Sequence, residues 1–284
     1  MKRFGETWFL RALRVFAAGC ALAAMTVGAD AGGAVSDWVA GGYSRVRLVN
    51  AGARDDGTWV AGLEIDLEHG WKTYWRSPGE TGVPPVFDWT ASRNLADAAV
   101  AWPAPVRFVD SGLESIGYKG DVILPLIVRP ADDGGAPVLD LVLFYAVCAE
   151  ICVPEEARLS LDLGQPTAPR TRLAVEATLS RVPRPSAAGE TVRAAMAGSD
   201  RETPMTLRIA SRGGETPSAV FVEGPENWYL PAPVAADGST TDETVYSVPL
   251  SGIPADAAID GAGLTVTVVY PSAAFEESLA IRAR

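Results

Sequence analysis

The chain is poor in the side chains that carry most enzyme chemistry. Its 284 residues include three cysteines and one histidine, His69. A Ser-His or Cys-His nucleophile needs an imidazole base, and no motif surrounds His69, so it reads as a solvated loop residue. There is no H-E-x-x-H and no Gly-rich phosphate loop, and no convincing carboxylate pair. Positive charge is also scarce. The 24 Lys and Arg against 35 Asp and Glu give a net charge of -11. Such a surface repels phosphate backbones and anionic lipids, so no nucleic-acid partner is expected. Helical periodicity is almost missing. Beyond the N-terminus, no apolar run approaches the roughly 20 residues of a membrane span. What remains is a 48% apolar composition, enough for a buried core.

The first 31 residues read as a secretory signal. Lys2, Arg3, Arg11 and Arg14 form a basic start, Val15 to Val27 an apolar stretch too short for a bilayer, and Ala29-Asp30-Ala31 an A-x-A cleavage site. Export with cleavage removes Cys20 and leaves one thiol pair, Cys148 and Cys152. In an oxidising compartment such a pair is expected to be a disulfide or a redox couple.

Alternating segments follow. Tyr43 to Asn50 and Thr58 to Leu67 read as strands around an Asp55-Asp56-Gly57 turn. Gly70 to Trp89 is dense in aromatics, Gly and Pro, and predicts a strand and a long structured loop. Ser92 to Trp102 is a further strand candidate, and Val109 to Gly117 reads as an exposed loop. Asp121 to Val128 and Val138 to Val147 are strands, joined as a hairpin by Asp132-Asp133-Gly134-Gly135; Glu156 to Leu163 closes the unit. Thr171 to Val182 is the one helix, with Leu173, Ala177 and Leu179 toward one side. Beyond it, strands are expected at Met205 to Ala210, Ala219 to Glu223, Val245 to Leu250, Leu264 to Tyr270 and Ser278 to Arg282. Many short strands with turn signals argue for antiparallel β-sandwiches. A faint internal repeat sets Tyr145 opposite Tyr270, and Pro271-Ser272-Ala273 where the first half has its cysteines. The division is signal peptide 1–31, redox domain 36–165, linker with a short helix 166–187 and second β-sandwich 188–284.

Cys148 and Cys152 can close a ring across a tight strand-ending loop. So short a ring removes little unfolded-state entropy, about 2 kcal/mol, which makes it a poor staple and favours a redox couple. A structural disulfide in a binding module remains the competing reading. A copper(I) carrier is the third: C-A-E-I-C matches part of a dinuclear copper motif, but Glu156 and Leu159 stand where that motif has His and Met. No cofactor and no metal is expected. Trp71, Tyr74, Trp75, Trp89 and Trp102 read as core, with a groove beside the cysteines as the alternative.

Tyr118 to Pro125 (Y-x-G-D-x-x-L-P), the hairpin and Y-x-x-C-x3-C-x-P together resemble the N-terminal periplasmic domain of the thiol–disulfide interchange protein DsbD and its relative ScsB; the segment from Gly70 to Trp89 resembles the ScsB version. The resemblance covers about residues 40 to 165, with weaker support beyond. It implies immunoglobulin-like sandwiches and a thiol–disulfide oxidoreductase of the protein-disulfide reductase type. It implies a membrane-embedded electron donor or a thioredoxin-like protein on one side, and periplasmic disulfide-containing acceptors on the other. Cys152 would exchange with partner thiols and Cys148 would resolve the mixed disulfide. A cap loop would fall at Val109 to Gly117, with Leu113 or Ile116 as shield. DsbD spaces its cysteines by five residues rather than three, and this sequence shows no membrane segment and no C-x-x-C, so a separate donor is expected. Lys119, Arg158 or loop amides would favour the thiolate, and Glu150, Glu155 and Glu156 would oppose it.

Overall fold

The computed structural model describes residues 34–110, 113–132, 135–198 and 201–283. The signal-peptide reading, Cys20 included, lies outside them. In chain order the strands of the first half are β1 (Val39–Ala40), β2 (Ser44–Ala53), β3 (Trp59–Leu67), β4 (Lys72–Tyr74), β5 (Val86–Asp88), β6 (Leu95–Val100), β7 (Val106–Asp110), β8 (Leu113–Lys119), β9 (Val122–Pro130), β10 (Val138–Cys148) and β11 (Cys152–Asp162). Helix α1 (Pro169–Leu179) follows. The second half holds β12 (Arg184–Pro185), β13 (Val192–Ala197), β14 (Met205–Ala210), β15 (Ala219–Glu223), β16 (Val234–Ala235), β17 (Glu243–Val248), β18 (Gly263–Val269), β19 (Ala274–Ala280) and β20 (Arg282–Ala283).

These strands make two immunoglobulin-like β-sandwiches joined by a short helical linker. In the first, β1-β2-β3-β9-β6 packs on β11-β10-β4-β8-β7, with β5 added to β10. In the second, β12-β19-β18-β15 packs on β16-β17-β14-β13-β20. Pairing is antiparallel except for β12 with β19 and β13 with β20. Period-two alternation builds each core. Val46, Leu48, Leu63 and Ile65 of one sheet meet Leu139, Leu141, Leu143, Leu159 and Leu161 of the other, all buried. Each fully buried Leu or Val contributes about 1.5–3 kcal/mol. Arg45 and Arg47 point outward and pair across strands with Asp66 (2.5 Å) and Glu64 (2.6 Å).

Three expectations are corrected. Residues 109–110 and 113–117 are not loop: they belong to β7 and β8, which pair with each other, Phe108 with Ser115. Gly117 lets β8 close on β4, because a Cβ there would lie 2.0 Å from the Thr73 carbonyl oxygen. Next, β9 and β10 are not a hairpin; they belong to opposite sheets. Asn94, at a φ of 50°, accepts from the Asp132 amide (2.9 Å) and donates to the Gly135 carbonyl (2.8 Å). Finally, the helix packs through Val175, with Leu179 beside it as expected, on Val49, Ala51 and Val60, while Leu173 is 69% exposed.

The two halves share a topology. Orders β2-β3-β9 and β13-β14-β17 match, as do β11-β10-β4 and β19-β18-β15, each in the same chain sequence. Tyr145 and Tyr270 are both buried and both use their hydroxyls, Tyr145 toward Ser44 (2.8 Å) and Tyr270 toward the Ala210 carbonyl (2.6 Å). The difference lies in the hairpins. Pairing of β18 with β19 stops at Val269–Ala274, whereas β10 and β11 continue past Tyr145 to Cys148–Cys152. The cysteines cap an extension that the second sandwich lacks.

Candidate functional site

The extension ends with Cys148 and Cys152 directly opposite each other, Cα atoms 4.2 Å apart and the sulfurs bonded. Ala149, Glu150 and Ile151 form the tip, closed by the Ala149 amide donating to the Ile151 carbonyl at 3.0 Å. Strand alternation sets the cysteines on the outer face of their sheet, with the core residues Tyr145 and Val147 on the other. The two sulfur sites differ: Cys148 is 5% exposed and Cys152 is exposed. Of the two, Cys152 is the one open to solvent.

Strand β4 runs beside the Cys148 side of the hairpin, pairing Thr73 with Val147 and Lys72 with Cys148. Its Thr73 hydroxyl donates to the Ala146 carbonyl at 3.0 Å. Tyr74, buried with Ala146 and Cys148, brings its hydroxyl to 3.2 Å from the Cys152 Sγ. A phenol at that distance can donate to a thiolate there when the pair is reduced. Of the five aromatics in question, Tyr74 alone makes this contact. Trp75 is fully buried, Trp71 stacks on Tyr43 at 3.8 Å, and Trp89 and Trp102 pack around Phe87.

Beside Cys148 lies a groove of about 290 Å³ lined by Lys72, Phe108, Lys119, Cys148, Ala149 and Glu150. The Lys72 amine reaches Ser115 Oγ (3.3 Å) and lies 5.0 Å from the centre of the Phe108 ring. Lys119 is thus near the pair, as expected, but Arg158 is not: it pairs with Glu156 at 2.7 Å, further down β11. Two of the three carboxylates expected to crowd the sulfurs are engaged elsewhere. Glu155 accepts from the Gly42 and Tyr43 amides, Ser44 (2.5 Å) and Tyr145 (2.6 Å), on the core side of β11. Burial and the Glu155 carboxylate push the Tyr145 phenol well above its usual range. Of the three, Glu150 alone borders the groove. Ile116 packs toward the core and lines the junction with the second sandwich, not this groove. The side chain of Leu113 lies outside the described residues. The reading from sequence held Tyr74 as core with the groove as its alternative, and missed Lys72 and Phe108 as groove walls. Their signal was present in the alternation of K-T-Y and V-R-F, but which alternate face receives the cysteines depends on pairing across sequence gaps.

Further from the tip, where β5 follows β4 along the same edge of β10, the outer face is apolar. Pro154 pairs with Ala146, and Phe144 pairs with Val86 of β5. Phe144 is 47% exposed, Val86 57% and Ile151 62%. Among the described residues no group of three or more His, Cys, Asp and Glu converges, and His69 is exposed on the turn before β4. No described helix is long and apolar enough to cross a membrane.

Residues 46–163, the stretch holding this site, match the family model described as thiol:disulfide interchange protein DsbD, N-terminal. The crystal structure of the N-terminal periplasmic domain of ScsB from Proteus mirabilis is similar with a TM-score of 0.70 at 24% identity, over 88% of this chain and 99% of that one. No curated protein matches in sequence. With both sandwiches laid out like the ScsB domain and a cysteine pair closing the hairpin of the first, residues 46–163 are a thiol–disulfide interchange domain of the DsbD N-terminal family.

Proposed function

We propose that this protein passes reducing equivalents in the periplasm, from a membrane-embedded donor or a thioredoxin-like protein to exported proteins that carry disulfides, through Cys148 and Cys152. The observation that carries the reading is the asymmetry of the pair: an exposed Cys152 with a phenol hydroxyl 3.2 Å from its sulfur, beside a buried Cys148. In the reduced protein, the Cys152 thiolate attacks one sulfur of the acceptor's disulfide. A mixed disulfide forms and the acceptor's other sulfur leaves as thiolate. Cys148 loses its proton to solvent and attacks Cys152 Sγ, breaking the mixed disulfide and expelling the second acceptor thiolate. Two electrons have moved to the acceptor, and the hairpin holds the Cys148–Cys152 bond again. A donor dithiol reverses these steps. The exposed strip of Phe144, Val86 and Ile151 is the face on which protein partners dock.

In this reading residues 1–31 are the leader, 36–165 the redox domain, 166–187 the linker and 188–284 the second domain. The test is the reduction potential of the pair, read by equilibration in graded thiol/disulfide buffers, alkylation and mass measurement. A value between about -120 and -270 mV, the span of known exchange proteins, supports the shuttle. A value below about -300 mV makes the bond structural and the protein a binding module.

A further inference from the structure

Strand β4 carries Tyr74 to the sulfur, and the next two residues reach the second sandwich. Trp75 packs against Phe221 of β15, ring centres 5.7 Å apart. Phe221 is 1% exposed and belongs to the core of the first sandwich although its strand is the edge of a sheet in the second. Arg76 covers the Trp75 ring at 4.6 Å, forks onto Glu223 (2.6 and 3.0 Å) and also pairs with Glu276. Thr267 holds Glu276 from behind at 3.2 Å. From β7, Arg107 donates to the Val220 carbonyl at 3.1 Å and lies over Phe221 at 5.2 Å.

From this arrangement we infer that the second sandwich positions the redox site: β15 and β19 anchor Trp75 and Arg76, and thereby set the Tyr74 hydroxyl against Cys152. The chain between anchor and hydroxyl is two residues long. It is also held on its other side, where the Trp75 amide donates to the Ile116 carbonyl at 3.0 Å. β4 is three residues long, with two pairs to β10 and three to β8. At the end of this short strand, a bidentate guanidinium fork on carboxylates is a directional anchor. Phe221, Glu223 and Glu276 are positioning residues, acting through Tyr74. The inference rests on the exchange reading of the pair, but its test reads the reduced thiol directly.

The experiment is a double-mutant cycle on the reduced protein, measuring the rate–pH profile of Cys152 alkylation by a small reagent. The anchor is weakened by Glu223→Gln with Glu276→Gln, and separately by Phe221→Leu, which keeps an apolar side chain should the first variant fold poorly. Each is combined with Tyr74→Phe. Loosening the anchor should slow alkylation at neutral pH about twofold or more in the Tyr74 protein and have no further effect once Tyr74 is Phe, because coupled residues are non-additive. Equal slowing in both backgrounds, or none in either, overturns the inference. A pair that thiol buffers in the range of exchange proteins fail to reduce in the unmodified protein would instead overturn the exchange reading, whatever the cycle shows.

Discussion

At the scale of single residues, the chemistry reduces to what surrounds two sulfur atoms. A sulfur in water at neutral pH is mostly thiol, and the thiolate is the nucleophile. The one hydrogen-bonding side chain seen against Cys152 is neutral: the Tyr74 hydroxyl at 3.2 Å. A hydrogen bond to a charged group contributes about 1.5–3 kcal/mol, and a 1.4 kcal/mol change is about tenfold in equilibrium. Tyr74→Phe removes the donor and keeps the ring that fills the space beside Ala146 and Cys148. Alkylation of reduced Cys152 at neutral pH should fall about tenfold, with the profile moved to higher pH and thermal stability nearly unchanged. An unaltered profile would show that the phenol contributes nothing to the thiolate. The carboxylates matter less than their nearness in sequence suggests, since Glu155 and Glu156 are held by Ser44, Tyr145 and Arg158.

The element that matters is the β10–β11 hairpin, and the two strands that share the other edge of β10 differ in character. Toward β4 lies the groove with Lys72, Lys119 and Phe108; toward β5 lies the apolar strip. Exposed apolar side chains clustered beside a reactive group mark a contact surface. Phe144→Ser removes the largest of them. Since Phe144 is half in solvent on the face away from the core, stability should change by less than about 1 kcal/mol. Exchange with a protein disulfide should slow severalfold, while exchange with a small linear disulfide keeps its rate. Equal rates for both substrates in wild type and variant would remove the strip from the docking surface. The hairpin itself is held by Glu155, which ties β11 to the turn before β2. Gly41 in that turn leaves room, as a Cβ there would lie 1.9 Å from the Glu155 Oε2.

For the whole molecule, the consequence of the shared core is that the sandwiches are not independent beads. Residues 32–284 form one compact unit, with Phe221 in the core of the first sandwich. Trp75 is 1% exposed at this junction, so Trp75→Ala should cost about 3–5 kcal/mol, the range for removing a large buried aromatic. Chemical denaturation would show it. A loss below about 1 kcal/mol would mean that the junction adds little to stability. Trp75 is therefore no probe of partner docking, since any loss of binding would follow from loss of fold.

Much of this was legible in the chain. Alternation in S-R-V-R-L-V-N and W-V-A-G-L-E-I-D-L places strands β2 and β3 and their core faces, because side chains on a strand alternate whatever lies around them. The scarcity of histidine and the single pair of cysteines outside the leader-like segment reduced the chemistry to thiols before any fold was known, and the Y-x-x-C-x3-C-x-P hairpin carried the family. Tertiary structure decided the rest. That β9 and β10 lie in opposite sheets, that β7 and β8 pair with each other, and that Val175 rather than Leu173 seats the helix all depend on tertiary pairing and packing. Which carboxylates reach the sulfurs, and the placing of Phe221 in another sandwich's core, are decided the same way. Local pattern records which side chains prefer burial; pairing between distant strands decides what they are buried against.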